Sequence, residues 1–238
     1  MTIKNPKKSI YIFLQTIAFL LLLSCESPSL IATEKITKQD NSILSFVDSL
    51  NVGRKGRNKL TAIRFEKEDS SFIHIDFYTL REGIWEVKNH YEFELNGPFG
   101  IDPVLADFNN DKHLDFHYQA AMAARSANNV RRLFIYSKQG DSLLLMKNSM
   151  DYPNMVYNKH LDCIDAVLVH GCSSQVFLKI QKDSLYDFAW ISHDGVTRVY
   201  EIDESGKETT LSVDSSFQYG CYTRFKTYDP LLEYTNEY

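Results

Sequence analysis

Between Asp107 and Asp115 the chain reads Asp-Phe-Asn-Asn-Asp-Lys-His-Leu-Asp, so oxygen-bearing side chains stand at places one, three, five and nine of the stretch. A hard divalent cation seeks six to eight oxygens, and a tight loop turns alternate side chains toward one centre. Asp107, Asn109, Asp111 and Asp115 are therefore the candidate metal ligands, and the backbone carbonyl of His113 at place seven adds another. Calcium suits this set and is the expected cofactor. Asp and Asn also favour turns without a metal, so a plain polar turn is the other reading.

The EF-hand pattern requires glutamate at place twelve, where Tyr118 stands, so a helix-loop-helix site is not expected. His113, Asp115 and His117 alternate and would share one strand face, which is a rival zinc set of two imidazoles and a carboxylate. Asp115 can serve only one of these sites. The chain contains no His-Glu-x-x-His, no Gly-x-Ser-x-Gly and no phosphate-binding glycine loop. No catalytic residue is therefore assigned, and the chain is not expected to be an enzyme. An envelope hydrolase acting on glycans or peptides is the alternative, and would need paired carboxylates such as Asp102 and Asp107 across a cleft.

The elements that must position this loop read as β structure. Runs rich in β-branched and aromatic residues cover 60–65, 72–78, 84–93, 133–137, 164–169, 176–180, 186–191 and 197–202. Ile73, Ile75 and Phe77 alternate with His74 and Asp76, and Trp85, Val87 and Asn89 alternate with Glu86 and Lys88, as half-buried antiparallel strands do. Turn signals at 81–83, 96–98, 139–141, 193–195 and 204–206 separate them. Asp40 before Ile43, Leu44, Phe46, Val47 and Leu50 predicts a short capped helix ending before Gly53, followed by a basic loop from Gly53 through Arg57. The expected fold is all-β and antiparallel, β-propeller-like or else a β-sandwich, with that short N-terminal helix.

The first 24 residues carry Lys4, Lys7 and Lys8, then an apolar run from Ile10 to Leu23, then Ser24 before Cys25. A basic start, an apolar core and a small residue before the cut mark an export leader. The ending is similar to the lipobox of bacterial lipoproteins. That resemblance implies lipid on Cys25, a membrane attachment through it, and a location in the cell envelope: the outer membrane, its periplasmic side or the cell surface. The expected organisation is a leader over 1–24, a flexible tether over 25–37 and one domain over 38–238. Losing the leader, with three lysines and no acids, takes the net charge from −5 to −8. An acidic surface disfavours nucleic acid and favours a basic protein partner.

Cys163, Cys172 and Cys221 remain in a compartment that permits disulfides. A bridge from Cys221 to Cys163 or Cys172 and the absence of any bridge both stay open, because sequence does not set connectivity. Residues 120–129 are small and free of β-branching, and form either an exposed projection beside the loop or a buried crossover. Aromatic Tyr219, Tyr222, Tyr228, Tyr234 and Tyr238 crowd the C-terminal stretch and are expected to pack.

Phe99-Gly100, then Leu105-Ala106-Asp107-Phe108-Asn109-Asn110-Asp111, then Leu114-Asp115-Phe116 resembles one copy of the FG-GAP or VCBS repeat. That resemblance implies a propeller blade holding calcium, with Lys112 in the place of the usual glycine. Residues 133–136, Tyr152-Pro153 and 164–171 are more loosely similar to exported lysozyme-inhibitor and immunity-type proteins. The two resemblances together imply a calcium-stabilised, lipid-anchored binding protein of the envelope that inhibits a lysozyme-like hydrolase. A purely structural envelope lipoprotein is the blander reading.

Overall fold

The computed structural model describes residues 42–67, 70–95, 97, 100–216 and 220–235. The leader, Cys25, the tether, Asp40, Phe99, Tyr219 and Tyr238 lie outside the described residues. Among the described residues, fourteen strands run in chain order and form three antiparallel sheets.

The first sheet is a meander of β1 (Ser42–Asp48), β2 (Asn58–Lys67), β3 (Ser70–Arg81) and β4 (Ile84–Leu95). The turn from β3 to β4 places Glu82 at φ 50° and Gly83 at φ 82°, the paired left-handed conformation that a tight hairpin needs. The second sheet is β5 (Val104–Ala106), β6 (Asp115–Ala123), β7 (Asn128–Ser137) and β8 (Ser142–Leu145). The third contains β9 (Val156–Asn158), β10 (Cys163–Val169), β11 (Ser173–Gln181), β12 (Ser184–His193), β13 (Thr197–Ile202) and β14 (Glu208–Asp214). A short helix α1 (Pro230–Thr235) follows.

The expected short N-terminal helix is corrected: residues 42–48 form β1, in register with β2 through Phe46 opposite Ala62. The apolar spacing fits a helix, but pairing with β2 satisfies the backbone and turns Phe46 onto Phe116, their stacked rings 6.2 Å apart. Tertiary pairing overrides local periodicity here.

The second sheet is apolar on both faces and sits between the other two. Phe116, Tyr118, Phe134 and Tyr136 face the first sheet, where they meet Leu60, Ile73, Ile75 and Phe77. Leu133 and Ile135 face Ile164, Ala166, Val176 and Leu178 of the third. Phe116, Tyr118, Phe134 and Phe77 are all shut off from solvent, and each large side chain so buried stabilises the fold by about 1.5–3 kcal/mol. The all-β expectation is met, in the form of sandwich-like stacked sheets; among the described residues the sheets are open, and a propeller ring is not shown.

The alternation in β4 changes face at a bulge. Phe77 pairs with Asn89 but Tyr78 pairs with Val87, so Lys88 is the extra residue. Trp85 and Val87 consequently lie on the outer face, whereas Asn89, Tyr91 and Phe93 turn to the core.

A strap of C-terminal chain covers the outer face of the third sheet. Cys172 bridges to Cys221, and Phe225 buries against Phe177, Ile191 and Val199. Gln175 donates Nε2 to the Phe225 carbonyl at 2.8 Å and accepts the Phe225 amide at 2.6 Å. Tyr228 meets Phe177 and Phe188 edge-on at 6.0 Å, whereas Tyr222 is exposed. Cys163 is a buried free thiol, pushed up to about 12 by burial and by Asp165.

Candidate calcium loop and the strand it anchors

The acidic stretch is an irregular loop joining β5 to β6, and its own side chains fold it. Asp107 accepts the amide of Asp111 on Oδ1 at 3.1 Å and that of Lys112 on Oδ2 at 2.9 Å. Asn109 accepts the Asp111 amide at 3.2 Å, and Asp111 accepts the His113 amide at 2.9 Å. These local bonds curl the backbone around the side-chain oxygens, as Asp and Asn do in turns. Asn110 and Lys112 take positive φ, 57° and 72°. Lys112 thus adopts the left-handed conformation that position six demands, although a lysine there costs on the order of 1–2 kcal/mol relative to glycine.

Asp115 closes the loop and opens β6. It is wholly buried, with Oδ2 accepting the Phe108 amide and Oδ1 the Tyr136 amide, both at 2.8 Å. Burial pushes its carboxyl up to about 7, the negative charges of Asp111 and Asp107 push the same way, and the two amides pull against them. The oxygens of Asp107, Asp111 and Asp115 do not all lie within 4.8 Å of one another. The loop is therefore curled but not drawn in on a single point. Two cations sit at its rim: Lys112 Nζ bonds Asn110 Oδ1 at 2.6 Å and Lys138 Nζ bonds the Asp111 carbonyl at 3.0 Å.

A second clamp holds the loop from the first sheet. Gly53 donates its amide to the Leu114 carbonyl at 3.0 Å, and its carbonyl lies 2.9 Å from His113 Nδ1. Gly53 has φ +57°, and a Cβ there would meet Asn58 Oδ1 at 2.7 Å and Tyr136 Cδ2 at 2.9 Å. Asn58 in turn donates to Asp141 at 3.0 Å, and Tyr136 donates its hydroxyl to the same carboxylate at 2.8 Å. Burial raises Asp141, but hydrogen bonds from Thr79, Asn58 and Tyr136 outweigh it and hold the carboxyl below its usual value.

His113, Asp115 and His117 do not converge as the zinc reading requires. His113 is occupied by Gly53, Asp115 by two amides, and His117 is buried edge-on against Phe108 with ring centroids 5.0 Å apart. Burial lowers His117 to about 3, so it is neutral, and Arg131 adds to the effect. The carboxylates of the hydrolase reading are also engaged separately: Asp102 pairs with Arg131, and Asp107 is folded into the loop.

Strand β6 runs from Asp115 to an exposed hairpin tip. Residues 122–127 are exposed, so the buried-crossover reading of residues 120–129 is corrected, and Ala124, Arg125 and Ser126 take φ of 48°, 56° and 72° in succession. Three successive non-glycine residues at positive φ are uncommon, and such strain concentrates at functional sites. Asn128 and Asn154 secure the base: Asn128 accepts the Val169 amide at 2.9 Å and Asn154 accepts the Asn129 amide at 3.0 Å. The sequence marks this tip only by its small residues and carries no sign of its backbone.

A group absent from the sequence reading lies elsewhere. His74, His90 and Glu92 place ligand atoms within 4.8 Å of one another on the outer face of the first sheet. The signal was the repeat of His-x-acid in two runs, at His74-Ile-Asp76 and His90-Tyr-Glu92, which register brings side by side.

No protein-family model matches the chain, and no curated protein matches it. Among solved structures it is similar to a Xanthomonas type IV secretion system related protein, at 9% identity over 71% of this chain and 93% of that one, with a TM-score of 0.47. A likeness so distant carries no argument about function. Fold and loop define an all-β protein of stacked antiparallel sheets with an acidic Asp/Asn loop at the start of a central strand.

Proposed function

We propose that this chain is a lipid-anchored envelope protein, stabilised by calcium in the 107–115 loop, that binds and inhibits a basic, lysozyme-like hydrolase. The observation that carries the reading is that β6 joins two unusual features, the acidic loop at Asp115 and the strained tip at 124–126. Burial, and after it the charges of Asp111 and Asp107, lift Asp115; a cation among Asp107, Asn109, Asp111 and Asp115 would offset both and fix one end of the strand. The other end then presents Arg125 in a fixed conformation, and a preordered tip binds more tightly than a mobile one. Glycosidases of the lysozyme type work through a carboxylate pair, which an inserted guanidinium would engage by charge-assisted hydrogen bonds. The anchor rests on the sequence at 1–25, and the acidic charge of the exported chain complements a basic enzyme.

The test is hydrolysis of peptidoglycan by a lysozyme-type enzyme with increasing amounts of the purified chain. Inhibition by the native chain, lost in Arg125→Ala without a change in melting temperature, supports the reading. The absence of both inhibition and complex formation overturns the inhibitor reading, and peptidoglycan cleavage by the chain itself favours the hydrolase alternative.

A further inference from the structure

We infer that the outer face of the first sheet carries a second, softer metal site, built from His74, His90 and Glu92 and selective for an imidazole-preferring divalent ion such as zinc. The site follows from strand register. His74 lies opposite Glu92, and Asp76 lies opposite His90. His74 and Asp76 are two apart on β3, and His90 and Glu92 two apart on β4, so all four side chains rise from the same face. They form a square with imidazoles on one diagonal and carboxylates on the other. The opposite face of β3 is the core, where Ile73, Ile75 and Phe77 are fully buried.

The contacts within the square bring the candidate ligand atoms together. His74 Nε2 stands 2.6 Å from Glu92 Oε2, and the His74 and His90 ring centroids are 5.4 Å apart. The ligand atoms of His74, His90 and Glu92 all lie within 4.8 Å of one another, close enough for one ion at the usual zinc distances of about 2.0–2.2 Å after small side-chain rotations. Asp76 is the positioning residue: its Oδ1 lies 2.6 Å from His90 Nδ1, which fixes the ring's orientation and leaves Nε2 for the metal. Tyr78 donates its hydroxyl to the other oxygen of Asp76 at 3.3 Å, and the Phe65 ring lies 4.3 Å from that of His74. Both contacts limit the rotamers of the square. Side-chain exposures of 38% for His74, 54% for His90 and 51% for Glu92 leave an open path for the ion. Two imidazoles and one carboxylate suit zinc, copper or nickel rather than calcium, and three protein ligands leave one coordination place for water or a further donor.

Titration calorimetry with zinc chloride tests this, using the full chain with calcium in excess so that the acidic loop is not the zinc acceptor. One equivalent binds, and the His74→Ala and His90→Ala variants abolish that step. Asp76→Asn weakens it by about 10-fold, as the loss of an orienting carboxylate does. Asp111→Ala leaves it unchanged. Because all four side chains project from the sheet, the variants keep the melting temperature of the native chain. In NMR spectra zinc shifts the ring signals of His74 and His90 and not those of His117 or His193. Zinc binding equally well to the double variant His74→Ala/His90→Ala, or zinc binding that depends on Asp111, overturns the inference.

Discussion

The carboxylate of Asp115 accepts the backbone amide of Tyr136 at 2.8 Å, tying the end of the acidic loop to the neighbouring strand β7. Its other oxygen holds the Phe108 amide at the loop's start. Replacing Asp115 with Ala leaves both amides buried without a partner, each at about 1–3 kcal/mol. Urea unfolding of Asp115→Ala in chelator is expected to show a loss of about 2–6 kcal/mol.

Two buried groups shape the pH dependence of the calcium-free protein in opposite directions. Asp115, raised from 3.8 to about 7, adds stability that is fully present below its unfolded value and lost as pH rises through 7. His117, lowered from 6.5 to about 3, adds stability present above 6.5 and lost as pH falls toward 3. Between pH 3.8 and 6.5 the two slopes oppose each other, so stability in chelator stays nearly level with respect to this pair. Asp115→Asn removes one slope, and stability then falls on acidification by up to about 1.4 kcal/mol per pH unit. Urea midpoints across that range check this; parallel profiles for native and variant proteins would contradict it.

Gly53→Ala tests the clamp from the first sheet. The new methyl meets Asn58 Oδ1 at 2.7 Å and Tyr136 Cδ2 at 2.9 Å, and both are held by Asp141. With the positive φ added, a loss of about 2–4 kcal/mol is expected by urea unfolding. Gly56→Ala, with nothing within 4 Å of its Cβ, is the milder comparison, limited to the cost of its φ of +67°.

The C-terminal strap is pinned by a bridge that closes a 49-residue separation. The double variant Cys172→Ser/Cys221→Ser is expected to lose about 2–4 kcal/mol, most of it from the greater freedom of the unfolded chain. Cys163, buried with its thiol pushed up to about 12, should resist alkylation until the protein unfolds. Rapid native alkylation of Cys163, followed by peptide mass mapping, would refute that placement.

Much of the sheet structure was legible because it is written in local pattern. All eight anticipated runs fall inside strands, and Glu82-Gly83 marks its hairpin turn by residue type alone. Strand β1 was not legible, since Ile43, Leu44, Phe46, Val47 and Leu50 satisfy helical spacing and only the pairing partner Ala62 decides between the two. The face change in β4 was hidden because a bulge such as that at Lys88 depends on cross-strand register. The acidic loop was visible in its Asp and Asn spacing, but the inward turn of Asp115 and the Gly53 clamp are long-range facts. The nearness of His74 to His90 was not legible for the same reason: sixteen positions separate them, and the hairpin brings them together. The pairing of Cys172 with Cys221 likewise needed the strap over the third sheet, which no local signal specifies.

The most direct test of calcium stabilisation is thermal unfolding of the native chain, Asp107→Ala and Lys112→Gly in calcium, in magnesium and in chelator. Ligand that binds only the folded state raises stability by mass action, by about 2.7 kcal/mol at a concentration 100 times the Kd. The expected result is a rise in melting temperature with calcium and not magnesium, absent in Asp107→Ala. In Lys112→Gly the rise should be larger, because glycine relieves the left-handed strain at φ 72° and removes a positive charge from the rim. Equal melting temperatures in calcium and chelator, for both the native chain and Lys112→Gly, would contradict the account and leave the loop a hydrogen-bonded turn.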